Sequence, residues 1–270
     1  EMAGRLGAVV DTVEFPWGKP VDPGEVGKRL AAKTYRLLGM VHAETSTGVR
    51  NPIREVGALA RKAGALFIVD AVTSLGGLDI RVDEWGIDTL YSCSQKCIGC
   101  PSGLSPVTFS EGAMKKAAGR ATKVPNFYLD MNLLMKYWDG TPRAYHHTAP
   151  ANMYFGLYQA LQLILEEGLE AVQKRHRDAH EYLVAGLQNM GLSMLVDEAH
   201  RLPMLNTVII PDGVDDAAVR KELRAACKIE IGSGLGTLAG KIWRIGLMGY
   251  SAKRENVDTL LGALKKILKR

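Results

Sequence analysis

The chain has 270 residues and a formal net charge of +5, and 47% of its residues are hydrophobic and 23% charged. This is an ordinary balance for a folded protein, and a chain of this length buries enough apolar surface to need no disulfide or metal for stability. Its basic residues are not interleaved with aromatic ones, and its apolar runs stay below the roughly 18 residues of a membrane span, so we expect no nucleic-acid and no membrane partner.

The first 150 residues alternate strand and helix patterns. The chain opens EMAGRLGAVVD, which reads as the interior of a domain, so we expect further sequence upstream. Helices are predicted at 21–32, with Asp22 as N-cap, and at 51–64, with Asn51 as N-cap and Gly64 as terminator. Strands are predicted at 7–15, 35–44, 65–70, 87–92 and 105–110. This spacing predicts an α/β fold with a mainly parallel sheet and helices on both faces.

After residue 150 the pattern changes, which predicts a first domain at 1–150 and a smaller α/β domain at 151–270. The second domain begins with two long helical segments, and its short strands favour an antiparallel sheet. Helices are predicted at 151–168, 169–191, 215–227 and 253–268, and strands at 205–210, 228–232 and 241–249. A basic cluster at 265–270 is typical of a solvated helix face.

Three of the four cysteines, Cys93, Cys97 and Cys100, crowd into eight positions with the spacing C-x3-C-x2-C. Such a spacing can hold an iron–sulfur cluster. However, Cys93 ends a predicted strand, and Gly99 stands where radical enzymes usually carry an aromatic residue, so we favour buried thiols that pack near a strand end. Crowded cysteines do not form a disulfide framework, so we expect a reducing compartment and a cytoplasmic location.

Lys96 lies in the same segment and has a chemical partner at the same sheet edge. Ligands bind at the carboxyl ends of parallel strands. Asp70 ends the strand at 65–70, and Lys96 lies four residues beyond the strand at 87–92, so both side chains are expected at that edge. A lysine that condenses with an aldehyde and an aspartate that pairs with a pyridinium nitrogen are what pyridoxal phosphate requires. On these two residues alone, a turn-capping aspartate and an exposed lysine remain an alternative.

The segment VDAVTSLGGLDIRVDEWGIDTLYSCSQK, residues 69–96, resembles the core of the alanine–glyoxylate and serine–pyruvate aminotransferases, which are class V, fold type I pyridoxal phosphate enzymes. The similarity covers nearly the whole chain, and the SQK lysine and the WRIGLMG segment are specific to this branch. It continues through 42–53, 101–110, 145–150 and 240–258. The resemblance implies that 1–150 is the C-terminal part of a large cofactor-binding domain.

Roles for four residues around the cofactor ring follow from the resemblance. Lys96 would condense with the aldehyde of pyridoxal phosphate and carry the proton between the substrate's α-carbon and the cofactor. Asp70 would pair with the pyridine nitrogen, and Val72 would pack against one face of the ring. Thr45 would bring a hydroxyl to the phenolic oxygen, where many relatives have serine.

The resemblance also implies contacts to the phosphate and to the substrate. Gln95 would help to hold the phosphate, and Tyr145 and Thr148 would reach it from the neighbouring subunit, which implies a homodimer with shared active sites. Arg244 would bind the substrate's α-carboxylate. Arginine matches a carboxylate with a planar fork, and a charge inside the apolar strand KIWRIGLMG must be paired or solvated. A structural acid as the partner of Arg244 is the alternative.

The implied function is transfer of an amino group from alanine or serine to glyoxylate or pyruvate. One alternative is another class V reaction such as cysteine desulfuration, which needs a catalytic cysteine on a mobile loop, where Cys227 is poorly placed. A second alternative is a non-catalytic truncated remnant. The family's glycine-rich phosphate-binding turn and its ring-stacking aromatic residue are not found in the sequence, which puts cofactor affinity in doubt if the chain is the whole protein.

Three further patterns point to structural roles. Adjacent residues on an extended chain point apart, so we predict no metal site at His146 and His147. The glycines of 232–236 lie between two strands without a following helix, which favours a flexible connection over a phosphate loop. The aromatic run of 151–161 is expected to be a stripe that faces the core.

Overall fold

The fold was analysed on a computed structural model, which describes residues 1–269. Arg270, the end of the predicted basic cluster, lies outside the described residues. The helices are α1 (Met2–Arg5), α2 (Pro23–Ala32), α3 (Ile53–Ala63), α4 (Glu111–Ala118), α5 (Met131–Trp138), α6 (Ala151–Glu167), α7 (Leu169–Asn189), α8 (Asp216–Cys227) and α9 (Arg254–Ile267). The strands are β1 (Leu37–Val41), β2 (Ala43–Glu44), β3 (Val49–Arg50), β4 (Leu66–Asp70), β5 (Thr89–Tyr91), β6 (Val107–Phe109), β7 (Leu205–Ile209), β8 (Gly232–Ser233) and β9 (Ile242–Gly246).

The main sheet has the strand order β1-β4-β5-β6. β1, β4 and β5 run parallel, and β6 is antiparallel to β5 at one edge. The predicted mainly parallel α/β fold is therefore confirmed. Because the three parallel strands are neighbours, the loops that follow them emerge at one edge of the sheet.

Two helices pack beside β4 and share a buried core with it. α2 begins after Asp22, whose carboxylate accepts a hydrogen bond from the Gly24 N–H at 2.7 Å, as an N-cap does. α3 ends at Gly64, which takes the left-handed conformation predicted for a helix terminator. The buried side chains of this core include Val26, Val56, Phe67 and Val69.

The second part of the chain folds around a three-stranded antiparallel sheet of order β7-β9-β8, as predicted. Its apolar face packs against α7, α8 and α9. The core there includes Leu183, Leu187, Leu223, Trp243 and Leu264. No helix within residues 1–269 combines the length and the apolar character that a membrane crossing needs.

Several predicted elements are wrong in detail. Residues 7–15 form no strand, and Val9 is 90% exposed, because the segment has no partner strand within the described chain. Asn51 does not cap α3: its amide donates to the Val41 carbonyl and its oxygen accepts from the Val21 N–H. The strand predicted at 228–232 is reduced to Gly232–Ser233.

The aromatic stripe of α6 does not face the core of this chain. Tyr154, Phe155 and Tyr158 are exposed, and Ala160 is the buried residue that the helix contributes. The prediction of a stripe that faces the core is therefore wrong, because helical periodicity indicates an apolar face but does not identify what covers it.

Backbone contacts join the hairpin β2–β3 to the second part of the chain. The Thr207 hydroxyl donates to the Thr47 carbonyl at 2.8 Å, and the Leu202 N–H donates to the Gly48 carbonyl at 3.0 Å. The positive φ of Gly48 and its close approach to Thr207 leave no room for a side chain there. The division of the chain at residue 150 stays a prediction.

Candidate active site

The carboxyl ends of three neighbouring parallel strands carry most of the predicted site. β1 leads into the hairpin that holds Thr45, β4 ends on Asp70 and is followed by Val72, and β5 leads into the loop with Gln95 and Lys96. Two backbone bonds fix these ends: the His42 N–H donates to the Asp70 carbonyl, and the Ala71 N–H donates to the Tyr91 carbonyl, both at 2.9 Å. The structure therefore brings the three loops to one sheet edge, as predicted for the loops of Asp70 and Lys96.

The carboxylate of Asp70 is held by two donors. Its Oδ1 accepts from the Val72 N–H at 2.8 Å, and its Oδ2 accepts from the Tyr91 hydroxyl at 2.8 Å. Burial and the neighbouring Asp70 raise the pKa of Tyr91 to about 12, so the phenol keeps its proton and donates. Each carboxylate oxygen still has accepting capacity for a further donor such as a pyridinium N–H.

The loop that carries Lys96 is tied to the loop that follows Asp70. Three side chains on the Lys96 loop each donate a hydrogen bond to a successive carbonyl on the other loop. These pairs are Ser92 with Ala71 at 2.9 Å, Cys93 with Val72 at 3.7 Å, and Cys97 with Thr73 at 3.2 Å. Lys96 itself is half-buried within this tied loop.

Two cysteines of this loop, Cys93 and Cys97, donate hydrogen bonds to backbone carbonyls. Cys97 is 1% exposed, and burial raises the pKa of its thiol to about 12, so it stays protonated and serves as a donor. Within residues 1–269 no group of three or more cysteine, histidine or acidic side chains is arranged to hold a metal ion. Cys227, at the end of α8, donates to the Leu223 carbonyl and is not on a mobile loop of the site.

Arg244 lies beside Thr45 and has no acidic partner. Its Nε donates to the Ser233 carbonyl at 2.7 Å and its Nη1 to the Thr45 carbonyl at 3.0 Å. No carboxylate within residues 1–269 forms an ion pair with it, so the alternative of a structural acid is not observed. A side chain at Gly232 would come within 3.3 Å of the guanidinium, so this glycine gives Arg244 its space. Gly232 lies in strand β8, so the prediction of a flexible connection over 232–236 is wrong at this residue.

Tyr145 and Thr148 lie apart from these groups. Their hydroxyls are 2.8 Å from each other, and Tyr145 is 76% exposed in the segment before α6. None of the described hydrogen bonds joins them to Asp70, Lys96 or Arg244. This arrangement agrees with, but does not test, the prediction that they act on a neighbouring subunit's site.

The expected divergence of His146 and His147 is wrong. Their Nδ1 atoms lie 2.8 Å apart, and the His146 ring stacks on Phe127 with centroids 4.7 Å apart. The pair is part of an aromatic cluster with Tyr128 and Tyr137.

Sequence reasoning missed Tyr91 and the carbonyl contacts of the cysteines. Tyr91 is the residue opposite Asp70 in the β4–β5 register, a relationship that only strand pairing reveals. The spacing of Cys93 and Cys97 suggested metal ligands, whereas their thiols donate to carbonyls on the loop that follows the neighbouring strand β4. Their place in the loop that follows β5 was the available signal.

The residues at this edge fit pyridoxal phosphate, which the resemblance implies. Asp70 offers an ionisable acceptor that still has open lone pairs. Arg244 offers a guanidinium with no acid to neutralise it. The buried hydroxyl of Thr73, next to Val72, has no hydrogen-bond partner among residues 1–269. The free lone pairs of Asp70 suit a ring nitrogen that needs an anionic partner. The guanidinium of Arg244 suits a substrate that carries a carboxylate.

Comparison with known proteins agrees with this geometry. The family model "Aminotransferase class-V" matches residues 1–260. The (S)-ureidoglycine–glyoxylate transaminase of Bacillus subtilis is 40% identical over 288 residues, which cover 100% of this chain and 69% of that protein. The alanine–glyoxylate aminotransferase of Drosophila melanogaster is 39% identical, over 99% of this chain and 69% of its own length. The crystal structure of an alanine–glyoxylate aminotransferase from Nostoc sp. superposes with a TM-score of 0.96 at 52% identity, over 99% of this chain and 71% of that one.

Three observations lead to the same assignment. Strand ends bring a lysine and an aspartate to one edge, an arginine has no acidic partner within residues 1–269, and a family match runs along almost the whole chain. The chain belongs to the class V aminotransferases.

Proposed function

We propose that this chain transfers an amino group from alanine or serine to glyoxylate or pyruvate, with pyridoxal phosphate as cofactor. Class V aminotransferases depend on this cofactor, and relatives that cover the chain are named for glyoxylate as a substrate. The observation that carries the proposal is the half-buried Arg244, which has two backbone acceptors and no carboxylate partner within residues 1–269. Such a cation is suited to the α-carboxylate that all amino and 2-oxo acids share.

Five residues would act on the cofactor. When bound, pyridoxal phosphate supplies an electron-withdrawing ring that makes the α-proton of an amino acid acidic. The amine of Lys96 would hold the cofactor's aldehyde and, when freed by the substrate, take the α-proton and return it on the cofactor side. Asp70, whose carboxylate is fixed by two donors, would pair with the ring nitrogen and keep it protonated, while Val72 would pack on a face of the ring. Thr45 would reach the phenolic oxygen, and Gln95 the phosphate.

Arg244 would bind the carboxylate end-on. A guanidinium has five N–H groups, and the Ser233 and Thr45 carbonyls use one on Nε and one on Nη1. Three N–H groups, one on Nη1 and two on Nη2, remain for a substrate carboxylate. Two parallel bonds to one carboxylate would fix the substrate's orientation as well as its charge.

A second amino donor is favoured by one specific relative. The Bacillus subtilis protein that is 40% identical is named for (S)-ureidoglycine and glyoxylate. Both proposals share glyoxylate as acceptor and differ in the side chain of the donor. A donor panel of alanine, serine and (S)-ureidoglycine, each with glyoxylate or pyruvate, would rank them by kcat/KM.

Spectroscopy on the purified protein tests the chemistry itself. Addition of pyridoxal phosphate should produce a visible absorbance band that alanine bleaches, and Lys96→Ala should remove the band. Lys116→Ala, on the exposed face of α4, is the matched control and should leave it intact. A wild-type protein that forms no band would overturn the proposal and favour a non-catalytic remnant, whereas sulfide released from cysteine would favour a desulfurase.

We further propose a homodimer in which Tyr145 and Thr148 contact the phosphate in the neighbouring subunit's site. The exposed aromatic face of α6 offers an apolar surface for such an assembly. Mixing Lys96→Ala with Tyr145→Ala subunits tests it, because a shared site leaves one of the two sites intact in each mixed dimer, so a randomly paired equimolar mixture should regain about a quarter of the wild-type activity. No restoration would place both residues in one subunit's site. A cytoplasmic location is also proposed, since all four cysteines are free.

A further inference from the structure

We propose that Tyr91 is a positioning residue of the active site, which holds the carboxylate of Asp70 in place through the hydrogen bond to Oδ2. The inference rests on the proposed function, because there Asp70 is the partner of the cofactor's ring nitrogen. Tyr91 itself would touch neither the substrate nor the reacting atoms.

Strand register puts the two residues together. Asp70 and Tyr91 are paired in the parallel β4–β5 ladder, and each is the last residue of its strand. Paired residues of neighbouring strands project to the same face of a sheet, so the phenol reaches across to the carboxylate at the edge. The resulting O–O distance is 2.8 Å.

The two groups that donate hydrogen bonds to Asp70 lie in different parts of the sheet edge. The Val72 N–H lies two residues along the same chain and holds Oδ1 within a local turn. Tyr91 holds Oδ2 from the next strand, so the plane of the carboxylate is fixed from two directions. Without Tyr91 the carboxylate could turn about its Cβ–Cγ bond. It would also keep only one of the two donors that hold it, the Val72 N–H.

A purely structural role for this hydrogen bond would be small. β4 and β5 are already joined by their backbone ladder from Ile68 to Asp70 and by the Ala71 N–H to the Tyr91 carbonyl. Tyr91 is partly exposed, and hydrogen bonds at exposed positions contribute little to folding. Its loss should therefore affect the cofactor site more than it affects stability.

Tyr91→Phe tests the proposal, with Tyr182→Phe as the matched control. Tyr182 also donates to an aspartate, Asp258 Oδ1 at 2.6 Å, but on the second part of the chain. For Tyr91→Phe we expect the dissociation constant of pyridoxal phosphate to rise about tenfold and kcat to fall about tenfold, while KM for the amino donor changes less than twofold. With ¹⁵N-labelled cofactor, the NMR shift of the ring nitrogen should move towards the unprotonated value. Tyr182→Phe should match the wild type in all four measurements.

Two outcomes would overturn the proposal. One is a Tyr91→Phe protein with wild-type cofactor affinity, kcat and nitrogen shift. The other is a variant that loses only thermal stability. A wild-type protein that binds no pyridoxal phosphate is recognised before any variant is made, and it overturns the proposed function together with this inference.

Discussion

The thiol of Cys97 donates a hydrogen bond to the carbonyl of Thr73 at 3.2 Å, directly beside Lys96. With Ser92 and Cys93 it ties the lysine loop to the loop after Asp70. The two groups that the proposed chemistry needs are thus held on loops fastened to each other. Without these hydrogen bonds, motion of the loop would change the position of the Lys96 amine relative to Asp70.

Cysteine reactivity should follow this arrangement. The buried, protonated thiol of Cys97 should resist iodoacetamide at pH 8, whereas the partly exposed Cys227 should be alkylated first. Mass spectrometry of peptides over a time course measures the order, and the urea-unfolded protein is the control in which all four cysteines react. Labelling of Cys97 before Cys227 in the folded protein would contradict the structure.

Arg244→Lys should weaken substrate binding without unfolding the protein. Lysine keeps the charge but loses the planar fork, so we expect KM for amino donors to rise between about tenfold and a hundredfold. Arg220→Lys is the matched control, because Arg220 is already paired with Asp216 on α8. Steady-state kinetics checks both variants, and equal KM values for them would argue against a carboxylate at Arg244.

Thr73→Val should leave the free energy of unfolding unchanged or raise it. The Thr73 hydroxyl is buried without a partner, and valine has the same shape without that unsatisfied group. Thr207→Val should lower the free energy of unfolding by about 1–2 kcal/mol, because the Thr207 hydroxyl donates to the Thr47 carbonyl. Urea unfolding of the cofactor-free protein measures both. A clear loss for Thr73→Val would mean that water or another group satisfies the hydroxyl.

Stability should fall as the pH drops from about 6.5 to about 4, in part because of His42. Burial, and then the charge of Arg50, lower the pKa of His42 from 6.5 to about 4. Between pH 6.5 and about 4, the unfolded chain therefore binds a proton at His42 that the folded chain does not bind. The contribution of His42 to the free energy of unfolding is complete above pH 6.5 and decreases below it. The loss from this one group is on the order of 3 kcal/mol.

His42→Gln isolates that contribution. Burial also lowers the pKa values of His176 and His180, so the wild type retains several acid-sensitive groups and only the difference between the two proteins reports on His42. Urea unfolding at pH 7 and pH 5 should show a smaller loss for His42→Gln. Parallel losses would mean that His42 titrates normally in the folded state.

Two helical glycines should respond to alanine in opposite directions. A Cβ on Gly57 in α3 would lie 2.0 Å from the Trp85 carbonyl, so Gly57→Ala must displace backbone and should cost about 1–3 kcal/mol. Gly262 in α9 has open space around it, and Gly262→Ala should stabilise by about 0.5–1 kcal/mol. Calorimetric melting temperatures should therefore move in opposite directions, and a common direction would refute the contrast.

The parts of the fold that could be predicted are those set by local pattern. The apolar run that ends at Asp70 and the strand before Lys96 indicated parallel strands, and this was sufficient to bring both loops to one edge. The charge of Arg244 within an apolar strand indicated that its guanidinium must be paired or solvated. These inferences required only periodicity and residue chemistry.

The parts that could not be predicted depend on partners. The apolar alternation of 7–15 resembles a strand, but a strand also needs a neighbour to pair with. Asn51 suits an N-cap, yet its amide meets the Val41 carbonyl instead. The contact of Tyr91 with Asp70 requires the register of two strands, which lie 21 residues apart in sequence. Residue type alone does not contain that information.

The hairpin β2–β3 has a consequence for engineering. Its carbonyls at Thr45, Thr47 and Gly48 accept hydrogen bonds from Arg244, Thr207 and Leu202, all of which follow the proposed boundary at residue 150. A chimera that exchanges only 151–270 with a relative would set foreign donors against native acceptors. Residues 43–50 and the second half of the chain should therefore be recombined as a single block when substrate preference is transplanted between homologues.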